Sequence, residues 1–138
     1  MLDGFGVILA LIRADAGVAA IAGTRIGAEA AAPPCVVLVD LASTARPYGP
    51  GSRLLGLQRF LGAARCYGED SPTGAITARQ LAGAVLDALD GHGIHVGTSS
   101  RLMLRSWAPT IDGLTRDPDT HWPQYDVSID AVLAAEAA

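Results

Sequence analysis

The sequence predicts an α+β fold: a mostly antiparallel, mixed sheet of about four strands with two main helices packed on one face, in the order α-β-β-α-β-β. Three observations predict it. Two segments, one through Phe5, Ile8, Leu9 and Ile12 and one through Ala78, Leu81, Ala82, Val85, Leu86 and Leu89, carry apolar residues at helical spacing. Residues 59–67 and 125–133 alternate with a period of two, as strands do. The strand segments come as consecutive pairs on either side of the second long helix, so each pair can form antiparallel neighbours.

The elements follow in order. Asp3 is placed to cap the first helix, which ends near Arg13 and Ala14. Asp15 caps a second short helical turn, with Val18 and Ile21 facing inward and Gly23 closing it. Residues 27–34 are small, Ala-rich and end in Pro33-Pro34, a loop or extended lead-in. Residues 35–41 are nearly all apolar and rich in valine, the pattern of a strand buried on both faces. Residues 43–52 hold Pro and Gly without periodicity and read as a long hairpin loop. The chain returns as a second strand over residues 53–67, with Gly56 and Gly62 marking bulges or a bend. Ser71 at the N-cap and Pro72 behind it start the most clearly marked helix, which runs to about Asp90 before Gly91. Ile94-His95-Val96 is a short strand, and residues 101–107 are a further one. Residues 108–123 read as a polar loop, residues 125–133 as a half-exposed strand and residues 134–138 as a frayed tail.

Length and composition bound the class. The chain has 138 residues, which suits a single domain over residues 1–138. Half of the residues are hydrophobic but only 5% are aromatic, so the core is built from Val, Leu, Ile and Ala. Only 17% are charged, below the roughly 25% of ordinary soluble domains, which points to surface covered by partners. There are ten arginines and no lysine, and the net charge is -4. That balance lacks the general basic footprint of a nucleic-acid binder. The longest apolar run, near Val7 to Ile12, is far short of the ~18 residues that span a bilayer. No basic segment followed by a cleavable apolar stretch is visible, and two cysteines make no disulfide framework. The expectation is a chain made in the cytoplasm with free thiols.

The chemistry-bearing residues form no recognised catalytic pattern. His92 and His95 are three apart, but Gly91 and Gly93 break any helix that would hold them together. Asp117, Asp119 and His121 alternate, with Asp112 nearby, yet Pro118 interrupts them and the spacing of a calcium loop is missing. Cys35 and Cys66 belong to no CxxC pair and read as buried thiols. No nucleophile elbow, phosphate loop or dinucleotide fingerprint is present, and Gly97-Thr98-Ser99-Ser100 has no assignable His–Asp partner. The chain is therefore read as a non-enzyme with no catalytic, metal or cofactor site. The arginines are scattered: Arg46 and Arg53 flank the long hairpin loop, while Arg101, Arg105 and Arg116 surround the later strand. Solvated strand edges account for such a scatter; the sharper reading is that some meet acidic groups on neighbouring subunits. Tyr48, Trp107 and Trp122 stand near loops, where aromatic side chains favour interface anchors; for Trp122 the alternative is an inward plug over the sheet.

The layout resembles the tail terminator (tail completion) proteins of long-tailed bacteriophages and related gene-transfer particles. The resemblance runs nearly end to end. It is carried by the opening helix with Asp15-Ala16-Gly17-Val18 and Arg25-Ile26, by Pro34-Cys35-Val36-Val37-Leu38, by Arg65-Cys66-Tyr67-Gly68, by the Ala/Leu-rich helix of residues 77–89 and by the alternating residues 124–131. Order and spacing, rather than any one motif, make the match. It departs at residues 27–32, which replace a more polar loop, and at residues 43–51, which run longer. The resemblance implies a structural virion protein at the head-tail junction. It would form a homo-hexameric ring on the last ring of the tail tube, stop tube polymerisation and offer a surface to the head-tail connector protein. DNA would pass only as cargo, and no membrane is involved. Contacts are expected at residues 43–52 and 108–123, with Arg46, Tyr48, Arg53, Arg105, Trp107, Arg116 and Trp122 as interface candidates. The alternatives are a head-closure or neck connector and, from a different class, a small cytoplasmic ligand-binding domain or enzyme.

Overall fold

The computed structural model describes residues 4–47, 54–89 and 101–136. Helix α1 (Gly4–Ala14) and helix α2 (Ala16–Ala22) meet at 80°. Asp15 makes the corner. Its carboxylate accepts the Val18 N–H at 3.0 Å and caps α2, as the sequence predicts. Gly23 ends α2 at φ 60°, a conformation open to a residue without a Cβ, and donates to the Ala19 carbonyl. Among the described residues no single helix is long and apolar enough to cross a membrane.

Strands β1 (Ile26–Gly27), β2 (Cys35–Asp40), β3 (Thr44–Pro47) and β4 (Leu54–Tyr67) follow, then helix α3 (Gly74–Leu89) and strands β5 (Arg101–Ile111), β6 (Thr115–Arg116) and β7 (Pro123–Glu136). The sheet runs β1-β2-β4-β7-β5, with β3 beside β4 and β6 beside β7. Among the described residues only the β1–β2 pair is parallel. The long elements therefore come in the expected order, helix, strand, strand, helix, strand, strand, in an α+β fold with a mixed sheet.

The differences from expectation lie at the ends of elements. Among the described residues the sheet has seven strands rather than about four, because three short ones extend its margins. Part of the expected 43–52 loop is β3, whose Thr44 to Pro47 pair with Arg59 to Gly56. Within the expected 108–123 loop, β5 continues to Ile111 and β6 adds two residues. β7 begins at Pro123 and runs through the expected frayed tail as far as Glu136. In each case pairing with a long neighbour extends a strand past the point where its own pattern stops. α3 begins at Gly74, not at Pro72, because residues 71–73 form a turn closed by Gly74 N–H to the Ser71 carbonyl at 3.1 Å. The expected strand at 94–96, His92, His95, residues 97–100, Asp3, Tyr48 and Arg53 lie outside the described residues.

The pleat sorts side chains onto two faces. Val36, Leu38, Phe60, Ala64, Cys66 and Val127 belong to the face that packs on the helices, continued by Ile129, Ala131 and Leu133. Ile8 and Ile12 of α1, Val18 of α2, and Leu81, Val85 and Leu89 of α3 fill the other side of this core. Each full burial of such a side chain stabilises by about 1.5–3 kcal/mol. Ala78 and Ala82 are fully buried on α3, and their short side chains let that helix lie close to the sheet. The entry of α1 is tied down by Gln58, whose side-chain oxygen accepts the Gly4 N–H at 2.7 Å and satisfies a donor that a helix start leaves over. Phe5 meets Phe60 edge-on, with ring centroids 6.3 Å apart.

The start of α3 depends on glycine. A Cβ on Gly74 would run into the backbone of Glu69, and one on Gly68 into the backbone of Gly74. Gly83, in the middle of the same helix, has nothing within 4 Å of a would-be Cβ. Gly74→Ala is therefore expected to lower stability by about 1–3 kcal/mol through forced backbone movement. Gly83→Ala is expected to raise it by about 0.5–1 kcal/mol by favouring the helix. Urea unfolding midpoints at unchanged slope measure both; equal effects at the two sites would contradict the packing described.

Candidate functional site

The second face of the sheet is different in kind. Among the described residues no helix packs on it; its small apolar cluster is made of Cys35, Val37 and Tyr67 with Val39 and Trp122. This explains how the first four residues of β2 are all buried, as a doubly buried strand should be: helices cover one side and an aromatic pair the other. Tyr67 and Trp122 meet edge-on at 5.8 Å. Trp122 thus plugs this second face rather than the helix-packed core. The two cysteines sit on adjacent strands, but Cys35 belongs to this cluster and Cys66 to the main core. Both are free and buried, and burial raises both thiol pKa values.

Charge on this face is paired across strands. Arg59 stands opposite Val132 and Leu61 opposite Asp130, so Arg59 reaches Asp130 on the diagonal. Arg59 Nε donates to Asp130 Oδ1 at 2.9 Å and Nη2 to Oδ2 at 2.7 Å, a two-pronged pair in solvent reach. The hydrogen bonds to Asp130, and then its charge, raise the guanidinium pKa further. Arg65 stands opposite Asp126, which accepts from Gln124 Nε2 at 2.6 Å. Arg65 Nε is buried without a hydrogen-bond partner. Burial raises the Tyr67 phenol, and the charge of Arg65 offsets part of that rise.

The turn after β6 sets the position of Trp122. Asp117 Oδ1 accepts the N–H groups of Asp119 and Thr120, both at 2.9 Å, and these bonds, Thr120 first, hold the carboxyl below its ordinary range. His121 has φ 61°, a left-handed conformation in which histidine is enriched. Its carbonyl accepts Arg116 Nη1 at 3.1 Å, and Arg116 lies 3.8 Å from Asp70 on the turn before α3. The alternating Asp117, Asp119 and His121 are therefore parts of one hydrogen-bonded turn.

The interface candidates separate into two places. Arg116 and Trp122 come together at this turn, each with an internal partner. The other described candidates fall in cross-strand rows at the far half of the sheet. Arg46 lines up with Leu57, Ala134 and Leu102. Arg105 lines up with Val132 and Arg59, and Trp107 with Asp130 and Leu61. Those rows share their register with the Arg59–Asp130 pair, which sequence reading missed. Its signal was present, since residues 59, 61, 63, 65 and 67 alternate as one set and residues 126, 128 and 130 as another. What joins the sets is the β4–β7 register. A shallow depression on the helix side is lined by Arg13, Gly23 and Thr24.

If Trp122 covers Cys35, then Trp122→Ala is expected to make one of the two thiols react faster with a thiol reagent under native conditions, with Cys66 still inert. Assigning the labelled site by mass spectrometry checks it; equal labelling of the two cysteines, or none, would contradict the cover.

No protein-family model matches the sequence, and no curated protein matches it either. The fold is similar to that of a solved chain in a structure described as "Virion of native gene transfer agent (GTA) particle". The TM-score is 0.64, at 19% sequence identity, over 97% of this chain and 95% of that one. A likeness at that identity is one of fold.

Proposed function

We propose that this chain is a structural component of a phage-like particle, and within it a tail terminator. The observation that carries the reading is the end-to-end fold likeness to a chain of a gene transfer agent virion, 97% of one chain on 95% of the other. The order of motifs read from the sequence supports the same class. In this reading the chain forms a hexameric ring on the last ring of the tail tube, halts further polymerisation and presents a joining surface to the head-tail connector. It is made in the host cytoplasm and resides in the virion. It carries no catalytic role. The two-faced sheet suits such work: one face is spent on the core, while the other carries the Arg59–Asp130 pair and the Tyr67–Trp122 contact. The net charge of -4 also suits a lumen through which DNA slides, because phosphates are repelled.

Electron micrographs of particles assembled with and without this chain test the reading. The expected result of its loss is overlong or ragged tails that fail to join heads. Tails of normal length beside unjoined heads would replace the terminator by a neck connector, and intact virions would overturn the structural reading altogether.

A further inference from the structure

We propose that copies of this chain join head to tail through two patches on opposite edges of the sheet. The corner between β5 and β6 of one copy seats in the depression between α1 and the end of α2 of the next. This inference rests on the ring reading above and assigns its subunit contact.

The corner is apolar at its centre and acidic at its rim. Ile111 and Leu114 are 39% and 46% exposed, two of the few large hydrophobic side chains that the described residues leave in solvent. Asp112 lies between them, held by its N–H to the Asp126 carbonyl at 2.8 Å and by the Ser128 hydroxyl donating to Oδ2 at 3.3 Å. Asp117 and Asp119 follow just past β6. The arginine of this corner, Arg116, is already engaged by Asp70 and the His121 carbonyl. An apolar centre with a charged rim is the anatomy of a protein contact.

The opposite edge complements the corner's acidic rim in charge. The depression is lined by Arg13, Gly23 and Thr24. Arg13 Nε donates to the Ile26 carbonyl and Arg25 Nε to the Pro34 carbonyl, both at 2.9 Å. These bonds fix the two guanidinium groups beside β1, the strand at the far edge of the sheet from β5. The nearest acid on α2, Asp15, is used as its cap. A shallow depression lined by Arg13, with the Arg25 guanidinium held beside Gly23, therefore faces one way, and an apolar corner with three carboxylates faces the other. Such unlike patches cannot pair with themselves, so they join copies head to tail.

The register also sets where the two patches lie along the sheet. Ile26 of β1 lies in one row with Val36, Cys66 and Tyr125. On the other edge Thr115 pairs with Gln124 and Ile111 with Val127. Both patches thus lie toward the same end of the β4–β7 ladder, the end with Tyr67 and Gln124.

Charge reversal tests the contact. One set combines Arg13→Glu with Arg25→Glu, the other Asp112→Arg with Asp119→Arg, and circular dichroism confirms that each is folded. Native mass spectrometry of the wild type at high micromolar concentration is expected to show a closed oligomer. Each reversed set alone is expected to lose it, as is Leu114→Arg. An equimolar mixture of the two sets is expected to regain it, with both variants in equal number, because each reversed patch then finds its opposite. A monomeric wild type, single sets that assemble as the wild type does, or a mixture no better than its parts would overturn the proposal. Those outcomes leave the terminator reading to be judged by tail length, which these spectra do not measure.

Discussion

The antiparallel ladder between β4 and β7 runs from Leu54 opposite Glu136 to Tyr67 opposite Gln124, and every other element takes its place from it. β2 and β3 share one side of β4, β5 and β6 share the other side of β7, and α3 lies on both central strands. The ladder also accounts for the small side chains at its centre. A Cβ on Gly62 would meet the Val39 carbonyl and the Phe60 ring, so glycine there lets the phenylalanine lie flat beside it in the core. Ala64 and Ala131 are fully buried on the same face, leaving room for α1 and α3 to approach. With few aromatics in the chain, close approach of backbones replaces bulk as the means of filling the interior.

A pair of strands much longer than the helices above them has a consequence on each face. On the covered face the helices fill the part from Gln58 and Leu133 to Tyr125, where the core lies. On the other face the same pleat presents alternate residues to no helix among the described elements. The chain handles that face with paired charge, as at Arg59 and Asp130, and with the Tyr67–Trp122 cover. Such pairs add little to the stability of an exposed sheet. They do fix the positions of charged groups, and a surface that must recognise a neighbour gains more from fixed charges than from mobile ones. The sparse charge of the chain belongs with the same picture.

Much of the fold is legible in the sequence where a period repeats over several residues. The stripes of α1 and α3, the Asp15 and Gly23 caps of α2, the valine run of β2 and the alternations of β4 and β7 are each local, and each forms where its pattern lies. The misread strands share one cause. β3, the end of β5, β6 and the last residues of β7 have weak patterns of their own and become strands because a long neighbour offers backbone partners. The candidate site shows the same divide. Arginines and tryptophans could be picked out by type, but which of them meet depends on cross-strand register, which one sequence does not contain. Hence the two alternating sets are legible but the pairing of Arg59 with Asp130 needs the register, and Ile111 and Leu114, which their polar surroundings place in a loop, stand out as an exposed corner only in the structure.

The central claim is one of place: copies of this chain close the head-proximal end of a tail tube. A cryo-electron reconstruction of the assembled particle, with the chain fitted to its own density, measures that place directly. The account predicts a single closed ring between the last ring of the tube and the head connector, with the edge that carries Arg13 and Arg25 beside the β5–β6 corner of the next copy. Density for the chain in the capsid shell, along the tube or at the distal tip of the tail would contradict it.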